Sequence, residues 1–252
     1  MRILCMLPAG KGVYPQEAEE RRLDLMRSYA TAATQIDADY MPAVSGFVPW
    51  GGTGGYMPAG PGGEGGEGEE GMARARTLSA QRALQAERDG YDAFCPYGLL
   101  DIGVQEARKL VKIAVVGQAE SALLFCGLLG RRFASCTYMP GLEDHIRRLA
   151  ASLGVEHLYA AATAIGIPNS EYPTRRQELL DRFVACANEA RAKGAEIMGF
   201  VAMSISPGEY PARELMEASG FPVLDGLACQ IALAEWWHRT GLPPSLLRVP
   251  RG

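Results

Sequence analysis

The sequence lacks the features that mark several common classes of protein. It has no run of lysine and arginine and its formal net charge is −4, so no nucleic-acid partner is expected. Its apolar runs are strand-length and too short to span a bilayer, so we expect no membrane segment. The first apolar run ends early at Pro8 and Gly10, which predicts a first strand rather than a signal peptide.

Motifs for metals, disulfides and nucleotides are missing as well. His145, His157 and His238 have no ligand spacing, and no metal or other cofactor is expected. The six cysteines form no CxxC pair and most lie in apolar stretches, which predicts reduced packing cysteines in a cytoplasmic protein. A GxxxxGK[ST] phosphate-binding loop is absent.

What the sequence does contain is a strand, turn and helix pattern that occurs twice. In the first copy, 92–97 is apolar and aromatic, Gly98 permits a sharp turn, 104–111 has helical spacing and 112–117 is the next strand. In the second copy, 194–204 is again a buried strand that ends in a turn, and a helix with Glu209 and a short strand at 222–226 follow. The repeat predicts two α/β halves that are built alike.

The predicted fold class is therefore α/β, with two pseudo-symmetric Rossmann-like or flavodoxin-like halves that contain parallel sheets. We expect the first half to comprise residues 1–118 and 226–252, and the second to comprise 119–225. Ligands of open parallel sheets bind just past the carboxyl ends of the strands. This rule predicts a site in a cleft between Gly98 and Ala202.

A glycine-rich segment interrupts the first half. Residues 46–71 have too few apolar side chains to offset the entropy of ordering, so a flexible loop is expected there, followed by a helix from Met72. Trp50 flanks the glycines and would cover a ligand if the loop were a lid. A passive surface insertion is the alternative.

The two strand–turn–helix stretches resemble the aspartate/glutamate racemase superfamily, and within it the hydantoin racemase and arylmalonate decarboxylase branch. The resemblance extends over most of the chain, from the first strand at 2–8 to the returning helix at 222–235. It implies a cysteine at the end of each equivalent strand, and those two positions fall on Gly98 and Ala202. It also implies a substrate pocket that takes contributions from the polar and small residues of further loops: Pro8, Ala9, Gly10, Thr137 and Tyr138.

Without these thiols, other groups must carry any chemistry. The candidate acid–base residues are Tyr97, Asp101 and Tyr138. Asp101 would alternatively cap the helix that follows Gly98, and Tyr138 would alternatively only pack. Cys95 lies three residues before Gly98 and so points to the opposite face of the strand. Backbone N–H groups would bind a carboxylate or enolate if they lay at helix N-termini, which adds three substrate-binding candidates to Gly98 and Ala202: Leu99, Met203 and Ser204.

Three functions remain open at this point. The first is an isomerase or lyase that acts on a small carboxylate or cyclic amide through an enolate-like intermediate, without a cofactor. The second is a protein that binds a small carboxylate without turning it over. The third is a hydrolase that uses the anion pocket as an oxyanion hole, with Ser204 or Ser206 as nucleophile. Assembly into a homo-oligomer is left open.

Overall fold

The architecture is mixed α/β with two parallel sheets. The computed structural model describes residues 1–7, 16–40, 66–98, 100–138, 141–168, 171–202, 205–206 and 208–247. The chain divides into two compact units, Met1–Gln118 with Gln230–Gly252, and Ala119–Cys229. Among the helices in the described ranges, none has the length and apolar composition needed to cross a membrane.

The first unit is built on a four-stranded parallel sheet in the order β2-β1-β3-β4. Its strands are β1 (Arg2–Leu7), β2 (Gln35–Tyr40), β3 (Ala93–Pro96) and β4 (Ala114–Val115). Three helices lie between them, namely α1 (Gln16–Tyr29), α2 (Gly66–Arg88) and α3 (Val104–Leu110). Leu4, Met6 and Phe94 of the sheet are buried in one cluster with alanines of α2, among them Ala75 and Ala83. The small alanines let the helix approach the sheet closely.

The second unit contains a three-stranded parallel sheet in the order β6-β5-β7. Its strands are β5 (Phe133–Thr137), β6 (Tyr159–Ala164) and β7 (Ile197–Val201), and Val223 adds a single parallel bridge to Met198. Its helices are α4 (Gln118–Leu129), α5 (Glu143–Ser152), α6 (Arg176–Ala192) and α7 (Ala212–Ser219).

The last helix, α8 (Gly226–Thr240), leads the chain from the second unit back into the first. Its start is capped by Asp225, whose Oδ1 accepts from the N–H groups of Leu227 at 2.9 Å and Ala228 at 3.0 Å. Further along, the buried Glu235 carboxylate accepts three hydrogen bonds, from the N–H and hydroxyl of Thr31 and from the hydroxyl of Thr34. These bonds attach the α1–β2 connection to α8.

Three predicted element bounds are wrong. The helix expected from Met72 begins at Gly66, because each residue added to an existing helix gains a hydrogen bond at a cost of only about 1 kcal/mol even for glycine. The flexible loop predicted for 46–71 therefore does not include 66–71, and 46–65 lies outside the described residues. The apolar residues in 39–44 predict a second strand there, but the strand observed is β2 at Gln35–Tyr40.

The third wrong bound concerns Glu209, which was expected within a helix but precedes α7, which starts at Ala212.

The wrong bound of β2 has a local cause. Asp37 lies before the predicted strand, yet it belongs to β2, and its carboxylate accepts a hydrogen bond from the Tyr91 hydroxyl.

Candidate functional site

The carboxyl edge of the first sheet carries the predicted residues Tyr97, Gly98 and Asp101. Tyr97 is buried and its N–H donates to the Met6 carbonyl at 2.9 Å, which continues the pairing of β3 with β1 for one more residue. Gly98 has φ 145°, a conformation that side-chain-bearing residues rarely adopt. The backbone therefore leaves the sheet at Gly98 by a turn that depends on glycine.

Asp101 is the unusual carboxylate of this edge. It has φ 46°, and it is the one non-glycine residue in the described ranges with a positive φ. Its carboxylate lies against Gly117, so close that a methyl group on Gly117 would fall 2.5 Å from Asp101 Oδ2. The N-cap residue of α3 is Gly103, which has no side chain to accept a hydrogen bond, so Asp101 is not the N-cap residue of this helix.

Gln230 of α8 joins the ends of β3 and β4 in the same unit. Its Nε2 donates to the Pro96 carbonyl at 2.9 Å and to the Val116 carbonyl at 2.7 Å. Both partners are carbonyls, which only accept, so the orientation of the amide is fixed. The side chain is fully buried, and it holds the backbone immediately before Tyr97.

The carboxyl edge of the second sheet carries Thr137, Tyr138 and Ala202. Thr137 and Tyr138 follow one another at the end of β5 and both are buried, and the Thr137 hydroxyl donates to the Thr163 carbonyl at 3.4 Å. Ala202 is 1% exposed, and its N–H donates to the Cys136 carbonyl at 2.9 Å. The end of β7 is thus anchored to the end of β5.

The expected backbone anion sites at 98–99 and 203–204 precede the two helices that follow the strand ends. The helix after Gly98 begins only at Val104, and the helix after Ala202 begins only at Ala212. Leu99, Met203 and Ser204 lie outside the described residues, so these anion sites stay predictions.

A polar cluster after β7 was missed by the sequence analysis. Glu209 is 4% exposed, and its Oε2 lies 2.9 Å from Nη1 of Arg176, the first residue of α6. The Tyr210 hydroxyl donates to the Arg176 carbonyl at 2.7 Å, and the guanidinium lies 4.5 Å from the centre of the Tyr210 ring. Desolvation raises the pKa of Tyr210, opposed by the charge of Arg176. A single glutamate in a helix-like pattern gave no signal for this arrangement.

Ser206, one of the two candidate hydrolase nucleophiles, lies between Ala202 and this cluster. It is 3% exposed, and its hydroxyl has no hydrogen-bond partner within the described ranges. A serine–histidine pair is therefore not seen in the described part of the chain. Several predicted binding residues lie outside the described residues, and their roles stay predictions: Pro8, Ala9, Gly10, Trp50, Leu99, Met203 and Ser204.

All six cysteines are buried free thiols, as their apolar surroundings predicted. Burial raises the pKa of Cys126 and of Cys229 to about 12. Cys136 and Cys186 of the second unit share a hydrogen bond, which raises the pKa of Cys136 and lowers that of Cys186. Cys95, the thiol nearest to Gly98 in sequence, is fully buried in β3.

Comparison with known proteins identifies the family. A family model described as Asp/Glu/hydantoin racemase matches residues 56–234. The chain belongs to the Asp/Glu/hydantoin racemase family. Family members named in the comparisons include racemases, which are enzymes, and the family match includes both strand ends described above.

Two curated relatives are hydantoin racemases. The one from Rhizobium meliloti is 29% identical over 154 residues, which is 60% of this chain and 62% of the relative. The one from Pseudomonas sp. (strain NS671) is 29% identical over 168 residues, or 66% of each chain. The chain thus spans less than two thirds of the length of either relative.

Solved structures show the same Asp/Glu racemase fold over the whole chain. Allantoin racemase from Klebsiella pneumoniae superposes with a TM-score of 0.76 at 20% identity, covering 100% of this chain and 94% of that one. Arylmalonate decarboxylase superposes with a TM-score of 0.59 at 12% identity, covering 96% of this chain and 94% of that one. The two-unit fold predicted from the sequence repeat is confirmed.

Proposed function

We propose that this chain is a cofactor-independent isomerase or lyase that acts on a small carboxylate or a cyclic amide through an enolate-like intermediate. It would do so without thiols at Gly98 and Ala202, the positions where relatives are expected to carry cysteines. Tyr97, Asp101 and Tyr138 are the proposed acid–base groups, with Gly98, Thr137 and Ala202 around the ligand. Family membership supports the reaction class, since abstraction of a proton next to a carbonyl is common to racemases of such substrates.

The conformation of Asp101 is the observation that carries this proposal. A non-glycine residue at positive φ stores roughly 1–3 kcal/mol of strain, less for aspartate, and such strain concentrates at functional sites. This backbone conformation places the carboxylate against Gly117 at the carboxyl edge of the sheet, where ligands of parallel sheets bind. A carboxylate that merely capped a helix would not need this backbone.

The test is deuterium exchange at the acidic carbon of probe compounds. The protein is incubated in D₂O with 5-benzylhydantoin, phenylmalonate and 2-phenylpropionate, and proton NMR follows loss of the C–H signal and any decarboxylation. We expect turnover of at least one probe by the wild type and a loss of about 100-fold or more in Asp101→Asn, because positioned acid–base groups contribute about 10²–10⁴-fold.

The matched control is Asp24→Asn, which removes the same charge from an exposed position on α1 and should leave the rate unchanged. Equal rates for Asp101→Asn and the wild type would show that Asp101 is not the acid–base group. No turnover of any probe by the wild type would contradict the proposed reaction.

A second candidate is a protein that binds a small carboxylate without turning it over. It is favoured by the residues at the two strand ends, since Gly98 has no side chain and Ala202 has a buried methyl group. Neither position offers a proton donor or acceptor. Thermal stabilisation by carboxylates together with no isotope exchange over days would favour binding alone.

A further inference from the structure

The segment after β7 folds into two successive turns that start at Ala202. The N–H groups of Ile205 and Ser206 donate to the Ala202 carbonyl at 2.8 and 3.0 Å, and the N–H groups of Glu209 and Tyr210 donate to the Ile205 carbonyl at 3.1 and 3.0 Å. Ser206 and Glu209 therefore lie within two turns of Ala202, close to the end of β7.

Glu209 is held at the carboxyl edge of the second sheet. The segment leaves that edge at the end of β7, and α6 starts at the same edge because it returns antiparallel to the strand before it. The Arg176 pair makes burial of the carboxylate tolerable, since an unpaired buried charge is strongly destabilising. The Arg176 side chain is 40% exposed while that of Glu209 is 4% exposed, so the carboxylate is the inner member of the pair.

We infer that Glu209 is a further acid–base residue of this chain, and that it supplies from the turn after β7 the proton-transfer group that Ala202 does not. This inference rests on the proposed function and deepens it for the same site. The buried Ser206 hydroxyl, which has no partner within the described ranges, is a second polar group in the same segment. Together they give this strand end the polar chemistry that its alanine lacks.

The reaction step is balanced without any further reactant. The Glu209 carboxylate takes the proton from the carbon next to the substrate carbonyl, and the C–H electron pair moves onto the carbonyl oxygen to form an enolate. The carboxylic acid then returns the proton to the same carbon, with the electron pair moving back from oxygen. In D₂O the acid exchanges its proton with solvent, so the product carries deuterium.

The experiment compares Glu209→Gln with Glu214→Gln in the full chain, with 5-benzylhydantoin as the probe. Glutamine keeps the shape of Glu209 and can still accept from Arg176, whereas Glu214 is an exposed glutamate on α7 close to the same edge. We expect exchange to fall by about 100-fold or more in Glu209→Gln, with KM nearly unchanged, and to stay at the wild-type rate in Glu214→Gln.

Two further variants keep the inference falsifiable if Glu209→Gln folds poorly or acts only through Arg176. Glu209→Asp retains the ion pair but withdraws the carboxylate by one methylene, so it should fold and lose at least about tenfold in exchange. Ala202→Cys in the Glu209→Gln background puts a thiol at the end of β7. Deuterium exchange of the probe should then recover as the pH rises through the thiol pKa of about 8.5.

The outcomes separate this inference from the proposed function. Exchange at the wild-type rate in folded Glu209→Gln or Glu209→Asp overturns the role of Glu209 and leaves the proposed function standing. Loss of exchange in Glu209→Gln with recovery by Ala202→Cys supports the role. No exchange by the wild type contradicts the proposed function, and the acid–base role of Glu209 fails with it.

Discussion

Gln230→Leu should destabilise the first unit strongly. The substitution keeps the size of the side chain but removes both hydrogen bonds to the Pro96 and Val116 carbonyls, at a position that is 0% exposed. Leaving one buried acceptor unpaired costs about 1–3 kcal/mol, so two such losses amount to roughly 2–6 kcal/mol. Removal of Gln230 Oε1, a buried acceptor without a partner in the described ranges, offsets about 1–3 kcal/mol of this. Because Pro96 immediately precedes Tyr97, activity should fall along with stability.

Urea unfolding followed by circular dichroism measures this free energy directly. Gln105→Leu is the matched control, because Gln105 is exposed on α3 and surface substitutions usually change stability by less than about 0.5 kcal/mol. A shift of less than about 1 kcal/mol for Gln230→Leu would refute the reasoning, since it would mean that neither carbonyl depends on the amide.

Gln230→Glu adds a pH dependence whose sign follows from the same geometry. An ionised carboxylate would face two carbonyl oxygens and donate nothing, so its pKa in the folded state must lie above the value of about 4.3 in the unfolded chain. The variant should therefore be most stable below that unfolded pKa and lose stability as the pH rises through the raised pKa. A pH-independent difference from the wild type would contradict this.

Three further outcomes are expected. Burial raises the pKa of Glu235, but its three hydrogen bonds outweigh this effect and lower the pKa. Glu235 therefore stabilises the fold above about pH 4.5, and this stabilisation is lost at lower pH. In urea unfolding measured over a series of pH values, Glu235→Gln should remove this loss of unfolding free energy at low pH. Iodoacetamide followed by mass spectrometry should label Cys186 first, and Cys126 and Cys229 should react last because their pKa is about 12; labelling in the opposite order would contradict the burial argument. Gly98→Ala should cost roughly 1–3 kcal/mol of unfolding free energy, and a neutral result would show that this turn does not need a positive φ.

Much of the fold was predictable because its elements are long or strongly patterned. The crossing helix predicted for 118–129 is α4 at Gln118–Leu129, and the strand after Met1 is β1 at Arg2–Leu7. Errors occurred where tertiary contacts override composition, as in β2, whose Asp37 and Asp39 find partners only in the folded chain. The glycine-containing start of α2 at Gly66 is another such case.

The candidate site was predictable only in part. The ends of the strands identified Tyr97, Asp101 and Tyr138, because parallel sheets bind ligands at that edge whatever the sequence. The sequence did not reveal that Asp101 turns toward Gly117, since a positive φ in aspartate has no sequence pattern. It also missed Glu209, whose partner Arg176 lies 33 residues earlier in the chain.

Gly98 and Ala202, the two positions that would hold thiols in relatives, differ in how easily each could be replaced by cysteine. Gly98 has a backbone conformation that strains any side chain, so a cysteine there requires the turn itself to rearrange. Ala202 keeps its N–H bonded to the Cys136 carbonyl, and a cysteine there adds a single sulfur atom to a buried methyl, an overpacking cost of about 1–3 kcal/mol. A cysteine is therefore tolerated more easily at the second strand end than at the first. An acid–base group is then most easily accommodated near Ala202, where backbone hydrogen bonds hold the turn and Glu209 lies in the next turn.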